Sequence, residues 1–136
     1  MGLERFEKAH AFAYEMALGE MKAGRKRSHW MWYIFPQIKG LGHSYNANLY
    51  GIAGLDEARD FVAHPILNAH LREITTEILN HKGVDARTLM GSGIDAKKLQ
   101  SSMTLFDIVS PNDIYRQVLD VFFEGKKCRH TYRLLH

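Results

Sequence analysis

The stretch Arg25-Lys26-Arg27-Ser28-His29-Trp30-Met31-Trp32-Tyr33-Ile34-Phe35-Pro36-Gln37 decides how the fold of this chain is predicted. It contains both tryptophans of the protein, beside a basic triplet, a tyrosine and a phenylalanine. Trp30 and Trp32 stand two positions apart, so on a helix their side chains point about 200° apart. One of them can enter the core, and the other then faces a groove or a partner. We therefore interpret the stretch as a core anchor and as one wall of any functional site.

Apolar residues recur at helical spacing on both sides of this stretch. We predict helices over residues 3–23, 29–34, 45–50, 57–63, 65–82 and 111–123, a short turn over 86–90, a buried helical face within 94–109 and a last turn within 129–136. The residues predicted to cap or start these helices are Ser28, Ser44, Asp56, Asp85 and Ser110. The short aromatic run at 32–35 has no partner strand with which to pair.

The predicted fold is all-α: a compact single-domain bundle over residues 1–136, with several amphipathic helices, some of them short and packed at angles. A chain of 136 residues fits one domain, and its 46% of apolar residues is ordinary for a globular protein. A chain of this size folds without metal or disulfide staples. The single cysteine, Cys128, cannot form an internal disulfide, which suits a reducing compartment.

No apolar run approaches the roughly 18 residues that a membrane span needs. Residues 1–5 also lack the apolar core of a secretory signal. We therefore expect a cytoplasmic protein that does not enter a membrane, and we favour a monomer.

Positive charge is concentrated at two places, although the net charge is only +3. The first group is Lys22, Arg25, Lys26 and Arg27, and the second is Lys126, Lys127, Arg129 and Arg133. Such clusters can bind nucleic acid or a small anion. They can equally be solvated helix ends, where cations complement the helix dipole. Both interpretations stay open at this point.

The first group of candidate site residues is His29, Trp30, Trp32 and Gln37. Histidine transfers protons near neutral pH, so His29 is the candidate general acid or base if the protein is an enzyme. A tryptophan ring can stack on a base or another ring. The alternative is that both tryptophans only pack in the core.

The second group lies within residues 95–104 and consists of Asp95, Lys98, Ser101, Ser102 and Thr104. Lys98 can pair with an anionic group while the hydroxyls hydrogen-bond to it. Serine and threonine lower helix propensity, so three of them within four residues of a predicted helix indicate a role beyond helix formation. The alternative is a surface ion pair with hydroxyls bonded to carbonyls of their own helix.

The eight histidines do not form a metal site in this sequence. Histidine pairs such as His64 and His70, or His130 and His136, are six apart rather than four. The glycine pairs at 40–42 and 91–93 lack the residues of a phosphate-binding loop. We predict neither a metal nor a cofactor.

The two blocks together carry a resemblance to a known family. Residues 28–32 (SHWMW), 34–37 (IFPQ) and 101–106 (SSMTLF) resemble the signature of a family of small, uncharacterised bacterial proteins. This is domain-of-unknown-function family eighteen-ten, whose members are sometimes mislabelled calpastatin. The resemblance covers nearly the whole chain. It implies a compact, mainly α-helical single domain, and it brings no established activity and no agreed catalytic residues.

We hypothesise a small module that binds an anionic, nucleotide-like small molecule. The candidate binding residues are Arg27, His29, Trp30, Trp32, Gln37, Lys98, Ser101 and Ser102. This hypothesis predicts that the two blocks surround one pocket, with His29 and Ser102 on the same side. The alternative is a protein- or nucleic-acid-interaction module that uses the basic run at 22–27. A third possibility is that both blocks only specify the fold.

Overall fold

The computed structural model describes residues 2–135, and helices are the regular elements of this range. They are α1 (Glu4–Lys22), α2 (Met31–Ile34), α3 (Tyr45–Tyr50), α4 (Leu55–Ala63), α5 (Pro65–Leu79), α6 (Ala86–Met90), α7 (Gly93–Val109), α8 (Ile114–Phe123) and α9 (Arg129–Leu135). An isolated parallel bridge joins Ile38 to Ile52. The all-α prediction is confirmed, including the short helices between the long ones.

Helix α7 lies at the centre of the fold. Every residue from 101 to 107 is buried, and the helix contacts α2, α4, α6, α8 and α9. A helix that is surrounded in this way normally carries apolar residues on all sides. In α7, however, the buried segment also includes Ser101, Ser102, Thr104 and Asp107. These polar groups need partners inside the protein, and most of them find one on the C-terminal segment described below.

The predicted caps that act within one turn of their own helix are confirmed. The Ser44 hydroxyl accepts a hydrogen bond from the Ala47 N–H at 3.1 Å, and the Asp85 carboxylate accepts one from Thr88 N–H at 2.8 Å. Both bonds occupy backbone donors that the first turn of a helix leaves without a partner. Pro65 is the first residue of α5, as predicted.

Ser28 and Ser110 do not cap helices, so these two predictions are wrong. Helix α2 begins at Met31, and the Ser28 hydroxyl donates instead to Glu20. Helix α8 begins at Ile114 rather than at residue 111, and its cap is the carboxylate of Asp113. In both cases a carboxylate takes the serine hydroxyl as a donor, since Ser110 Oγ also donates to Asp113 at 2.9 Å.

Two further helix boundaries differ from the prediction. Helix α4 begins at Leu55 with Gly54 as its cap, so Asp56 lies inside the first turn. Helix α5 ends at Leu79, and residues 80–83 continue as a turn. The two-residue shift of α4 is within the usual spread of helix ends. After α5 the chain tightens, because the N–H groups of His81 and Lys82 bond to carbonyls three residues back instead of four.

Candidate functional site

A cavity of about 460 Å³ opens beside the N-terminal half of α7. We call it the basic cavity. Its walls come from the loop that follows α2, from α7 and from the segment leading into α9. The lining residues are Gln37, Leu41, Gly42, Ile94, Lys97, Lys98, Gln100, Ser101, Lys127, Cys128, Arg129 and His130.

Positive charge dominates this lining, which contains no aspartate or glutamate. Lys98 Nζ lies 3.7 Å from Asp95 Oδ1, and Lys127 Nζ lies 3.7 Å from the buried Asp107 carboxylate. Lys97 and Arg129 have no carboxylate within 4 Å among residues 2–135. The cavity therefore retains net positive charge at its wall.

The side chain of Lys98 joins the two blocks of the sequence signature. Its Nζ atom lies 5.3 Å from the centre of the Trp32 ring, a distance at which an ammonium group is attracted to an aromatic face. Trp32 is partly exposed, whereas Trp30 is completely buried. The prediction that one tryptophan enters the core and the other faces outward is confirmed.

Polar side chains of α7 hold the segment 126–128 in place. Gln100 Nε2 donates to the Lys126 carbonyl at 2.9 Å, and the Cys128 N–H donates to Thr104 Oγ1 at 2.9 Å. Ser101 and Thr104 also bond to carbonyls one turn earlier in α7, at 3.0 and 2.8 Å. These bonds fix the backbone that presents Lys127 and Arg129 to the cavity, and they account for the hydroxyls of Ser101 and Thr104. The buried Ser102 hydroxyl has no hydrogen-bond partner among residues 2–135.

The only thiol of the chain, Cys128, lies in the cavity wall and is partly buried. Ser101 Oγ lies 3.3 Å from its Sγ atom. Burial by itself raises the pKa of the Cys128 thiol, but hydrogen bonds from Ser101 and from the backbone N–H groups of Thr131 and His130 outweigh this effect and lower the pKa. The hydrogen bonds thus favour the thiolate.

The structure brings together Gln37, Lys98 and Ser101 from the predicted binding set, since all three line the basic cavity. Trp32 adjoins them through Lys98. The remaining members do not line it. Arg27 and His29 are exposed outside the lining, and Trp30 and Ser102 are completely buried.

Sequence reasoning missed the residue that organises the beginning of the signature, Glu20 of α1. Its carboxylate accepts hydrogen bonds from the indole Nε1–H of Trp30 and the N–H of Arg27, each at 2.8 Å, and from the N–H and hydroxyl of Ser28. Partial burial raises the pKa of Glu20, but these hydrogen bonds outweigh burial and lower it to about 2. A buried indole N–H requires an acceptor, so the prediction that a tryptophan enters the core was the signal that a residue such as Glu20 must lie nearby.

Lys26 is not part of a solvated basic run, which corrects the residue set of the interaction-module hypothesis. Its Nζ atom lies 2.8 Å from Asp95 Oδ2, and only 6% of its side chain is exposed. Its carbonyl lies against Gly91, where a Cβ atom would approach to 2.9 Å. Since Gly91 also has a φ of 84°, a side chain there would be strained on both counts. The lysine is thus built into the junction of α6 and α7.

A second group of titratable residues that sequence reasoning missed joins α1 to α5 and α2. His10 Nε2 lies 2.8 Å from the Tyr33 carbonyl, and His10 Nδ1 lies 2.9 Å from His70 Nδ1. Because a carbonyl only accepts, His10 donates through Nε2 and, when neutral, accepts the proton of His70 Nδ1. Burial lowers the pKa of His10 to about 4. Neither histidine lines the basic cavity, and their bonds join α1 to α5 and to α2.

Other concave regions have a different character. A depression of about 1120 Å³ near the chain ends includes Asp56, Glu57 and Asp60 in its lining. Its carboxylates would repel an anion. Within residues 2–135 no group of three histidine, cysteine, aspartate or glutamate side chains is arranged to hold a metal ion. Over the same residues, no helix combines the length and apolar character that crossing a membrane requires.

The fold and the cavity define a small all-α protein with a basic cavity against its central helix. The family model described as "Protein of unknown function (DUF1810)" matches residues 1–135, and the chain belongs to this family. The crystal structure of the conserved hypothetical protein Rv1873 from Mycobacterium tuberculosis is similar, with 40% identity and a TM-score of 0.93 over 98% of this chain and 95% of that chain. No curated protein matches. The family resemblance drawn from the signature residues is confirmed.

Proposed function

We propose that this protein binds an anionic small molecule in the basic cavity. The observation that carries the proposal is the cavity lining, which contains Lys97, Lys98, Lys127 and Arg129 and no carboxylate. A concave wall with charge of one sign raises the local concentration of counter-ions. An anion that enters would meet Lys97 and Arg129 without first having to displace a protein carboxylate.

The polar groups of the wall divide into donors for the ligand and groups that position the wall. Gln37 carries two amide N–H donors, and the Arg129 guanidinium can present two parallel N–H groups to a phosphate or carboxylate. Ser101 has one hydroxyl proton, and two acceptors of the protein itself lie within its reach, the Lys97 carbonyl at 3.0 Å and Cys128 Sγ at 3.3 Å. Its role is therefore to hold the wall rather than to donate to the anion.

The interaction-module alternative has less support. It relies on a continuous basic run, but Lys26 is paired with Asp95 inside the protein, which leaves Lys22, Arg25 and Arg27 as the exposed cations of that run. Fewer free cations give a weaker, less salt-dependent attraction to a polyanion.

A ligand screen with charge variants tests the proposal. Orthophosphate, pyrophosphate, nucleotides and sugar phosphates are added to the full chain, and melting is followed at low salt. A ligand at about 100 times its dissociation constant adds roughly 2.7 kcal/mol, which raises the melting temperature by several degrees. The shift should shrink in Lys97→Gln and Arg129→Gln.

The matched control is Lys82→Gln, which removes an exposed lysine outside the cavity lining. Its ligand-induced shift should equal that of the unchanged protein. If the cavity variants and Lys82→Gln lose the same amount, the anion is attracted by net charge alone and the cavity is not the site. Silence of the unchanged protein across the whole panel would also overturn the proposal.

A further inference from the structure

A second cavity, of about 740 Å³, adjoins the basic cavity along α7. We call it the apolar cleft. Its apolar wall consists of Ala86, Ile94, Ala96, Phe122 and Phe123, contributed by α6, α7 and the end of α8. Asp85 and Arg87 also line it, one charge of each sign, so the cleft adds no net charge beyond the shared Lys97. The two phenylalanines are only partly buried, so the cleft exposes aromatic surface to anything that enters it.

The two cavities are adjacent, since Ile94, Lys97 and Gln100 line both of them. Ile94 is 70% exposed, although it is a large aliphatic side chain. A lysine suits the boundary, because its stem is apolar and its end is charged. A single exposed isoleucine needs no explanation, but here it stands between a cationic and an apolar cavity.

We infer that the ligand of this site is amphipathic, with a phosphate-class anionic head in the basic cavity and an aryl or short aliphatic group in the apolar cleft. The inference rests on the proposed function and names its ligand class. Charge complementarity fixes the orientation, since the head group is drawn to the lysines and Arg129, and the apolar group then lies against Ile94 and the phenylalanines.

The inference makes a quantitative statement about affinity. Each methylene group that leaves water for an apolar wall tightens binding by about fourfold. Butyl phosphate should therefore bind at least about tenfold more tightly than methyl phosphate, even if only part of its chain is buried. Phenyl phosphate should show a gain of the same order or larger.

The test is calorimetric titration of the full chain with methyl, butyl and phenyl phosphate. Ile94→Ser removes the exposed side chain that the two cavities share. Ile66→Ser is the matched control, because Ile66 is also exposed, is likewise the second residue of its helix, and lines neither cavity. We expect the gain from methyl to butyl phosphate to fall several-fold in Ile94→Ser and to persist in Ile66→Ser.

The outcomes separate the two proposals. Equal affinity for methyl, butyl and phenyl phosphate would overturn the amphipathic ligand and leave anion binding in place. Equal losses in Ile94→Ser and Ile66→Ser would overturn the assignment to this cleft. Absence of binding by every phosphate would overturn both. If Ile94→Ser instead changed the sedimentation of the protein without changing the alkyl gain, the cleft would be a contact with a second copy of the chain, and the inference would be wrong.

Discussion

The turn at residues 25–30 and the segment at 126–130 have similar compositions but differ in how deeply their cations are built into the protein. Both carry clustered cations close to buried aromatic or apolar residues. In the first region Glu20 takes the backbone and indole donors, and Asp95 takes Lys26. In the second region Lys126 and Lys127 also have carboxylates nearby, Glu124 at 3.3 Å and Asp107 at 3.7 Å, but Arg129 has no ion pair with residues 2–135 and lines a cavity without aspartate or glutamate. A buried carboxylate partner marks Lys26 as structural, whereas Arg129 is available to a ligand because it stands unpaired in a concave wall.

The largest effect expected from this comparison is the loss of stability in Glu20→Ala. The substitution leaves the N–H groups of the buried Trp30 indole, Arg27 and Ser28 without their acceptor. The buried indole donor that loses its partner costs about 1–3 kcal/mol, and the charge-assisted bonds from the more exposed Arg27 and Ser28 add less, so we expect a decrease of about 3 kcal/mol in the free energy of unfolding. Urea unfolding measures it. A decrease below about 1 kcal/mol would mean that water replaces the carboxylate and that the turn does not depend on Glu20.

Glu20 should also make the stability of the protein depend on pH in the acid range. The folded state lowers the pKa of Glu20 from 4.5 to about 2. The stability that this carboxylate contributes is therefore present above pH 4.5 and is lost as the pH falls through the folded pKa. The Glu20→Gln variant should therefore lose part of the dependence of stability on pH in this window, while Asp113, whose pKa the hydrogen bond from Arg72 lowers to about 2, keeps its own part. Urea unfolding between pH 5 and pH 2 measures the difference.

The next effect is a pH dependence from His10. Burial lowers its pKa from 6.5 to about 4, so the unfolded chain binds a proton that the folded protein excludes. Stability should fall as the pH drops from 6.5 to 4, by on the order of 3 kcal/mol. The pKa of His70 is also lowered by burial and acts in the same direction, while Glu73 and Glu15 oppose it.

Urea midpoints at pH 7.5, 5.5 and 4.5 measure this dependence. His10→Gln keeps a donor for the Tyr33 carbonyl but does not titrate, so its midpoint should change less between these pH values. His43→Gln, at an exposed histidine of the loop before α3, is the matched control and should retain the full dependence. If His10→Gln and the unchanged protein had the same pH profile, other groups would carry the acid sensitivity.

Asp95→Asn should act on both regions at once. It removes the carboxylate that contacts Lys26 Nζ at 2.8 Å and Lys98 Nζ at 3.7 Å. The buried Lys26 then lacks a counter-charge, and we expect a loss of about 2 kcal/mol in stability. Lys98 becomes free to face the basic cavity, so orthophosphate should bind several-fold more tightly at low salt. Unfolding and calorimetric titration of one preparation measure both effects, and weaker phosphate binding would contradict the proposed link between the regions.

Local features of the sequence predicted the parts of the fold that depend on local contacts. The caps Ser44 and Asp85 each accept a hydrogen bond from the backbone N–H three residues ahead, so the sequence spacing was enough to predict them. The Ser28 prediction failed because Glu20, on another helix, accepts the serine hydroxyl. The Ser110 prediction failed because Asp113, which Arg72 orients from 41 residues away, caps α8 in its place. A cap rule contains no information about such partners.

The candidate site shows the same division. Lys98 and Ser101 were found because they lie one turn apart on one helix, and Gln37 because it belongs to the aromatic block. Lys127 and Arg129 were noted as charged but were not assigned to the site. Their position depends on the contact of Ser101 with Cys128, which are 27 residues apart. Helix α7 and the segment 126–130 come together only in the folded protein, so the spacing of residues in the sequence does not predict their contact.

The smallest expected effect on stability, and the sharpest test of the comparison, is Arg129→Gln. Arg129 is exposed and has no ion pair with residues 2–135, so its loss should change the free energy of unfolding by less than about 0.5 kcal/mol. Phosphate affinity should nevertheless fall by about tenfold, because a charge-assisted hydrogen bond contributes roughly 1.5–3 kcal/mol. The same preparation is used for urea unfolding and for titration. If Arg129→Gln lowers stability but leaves phosphate affinity unchanged, Arg129 is a structural residue like Glu20. If it lowers phosphate affinity and leaves stability unchanged, Arg129 contacts the ligand.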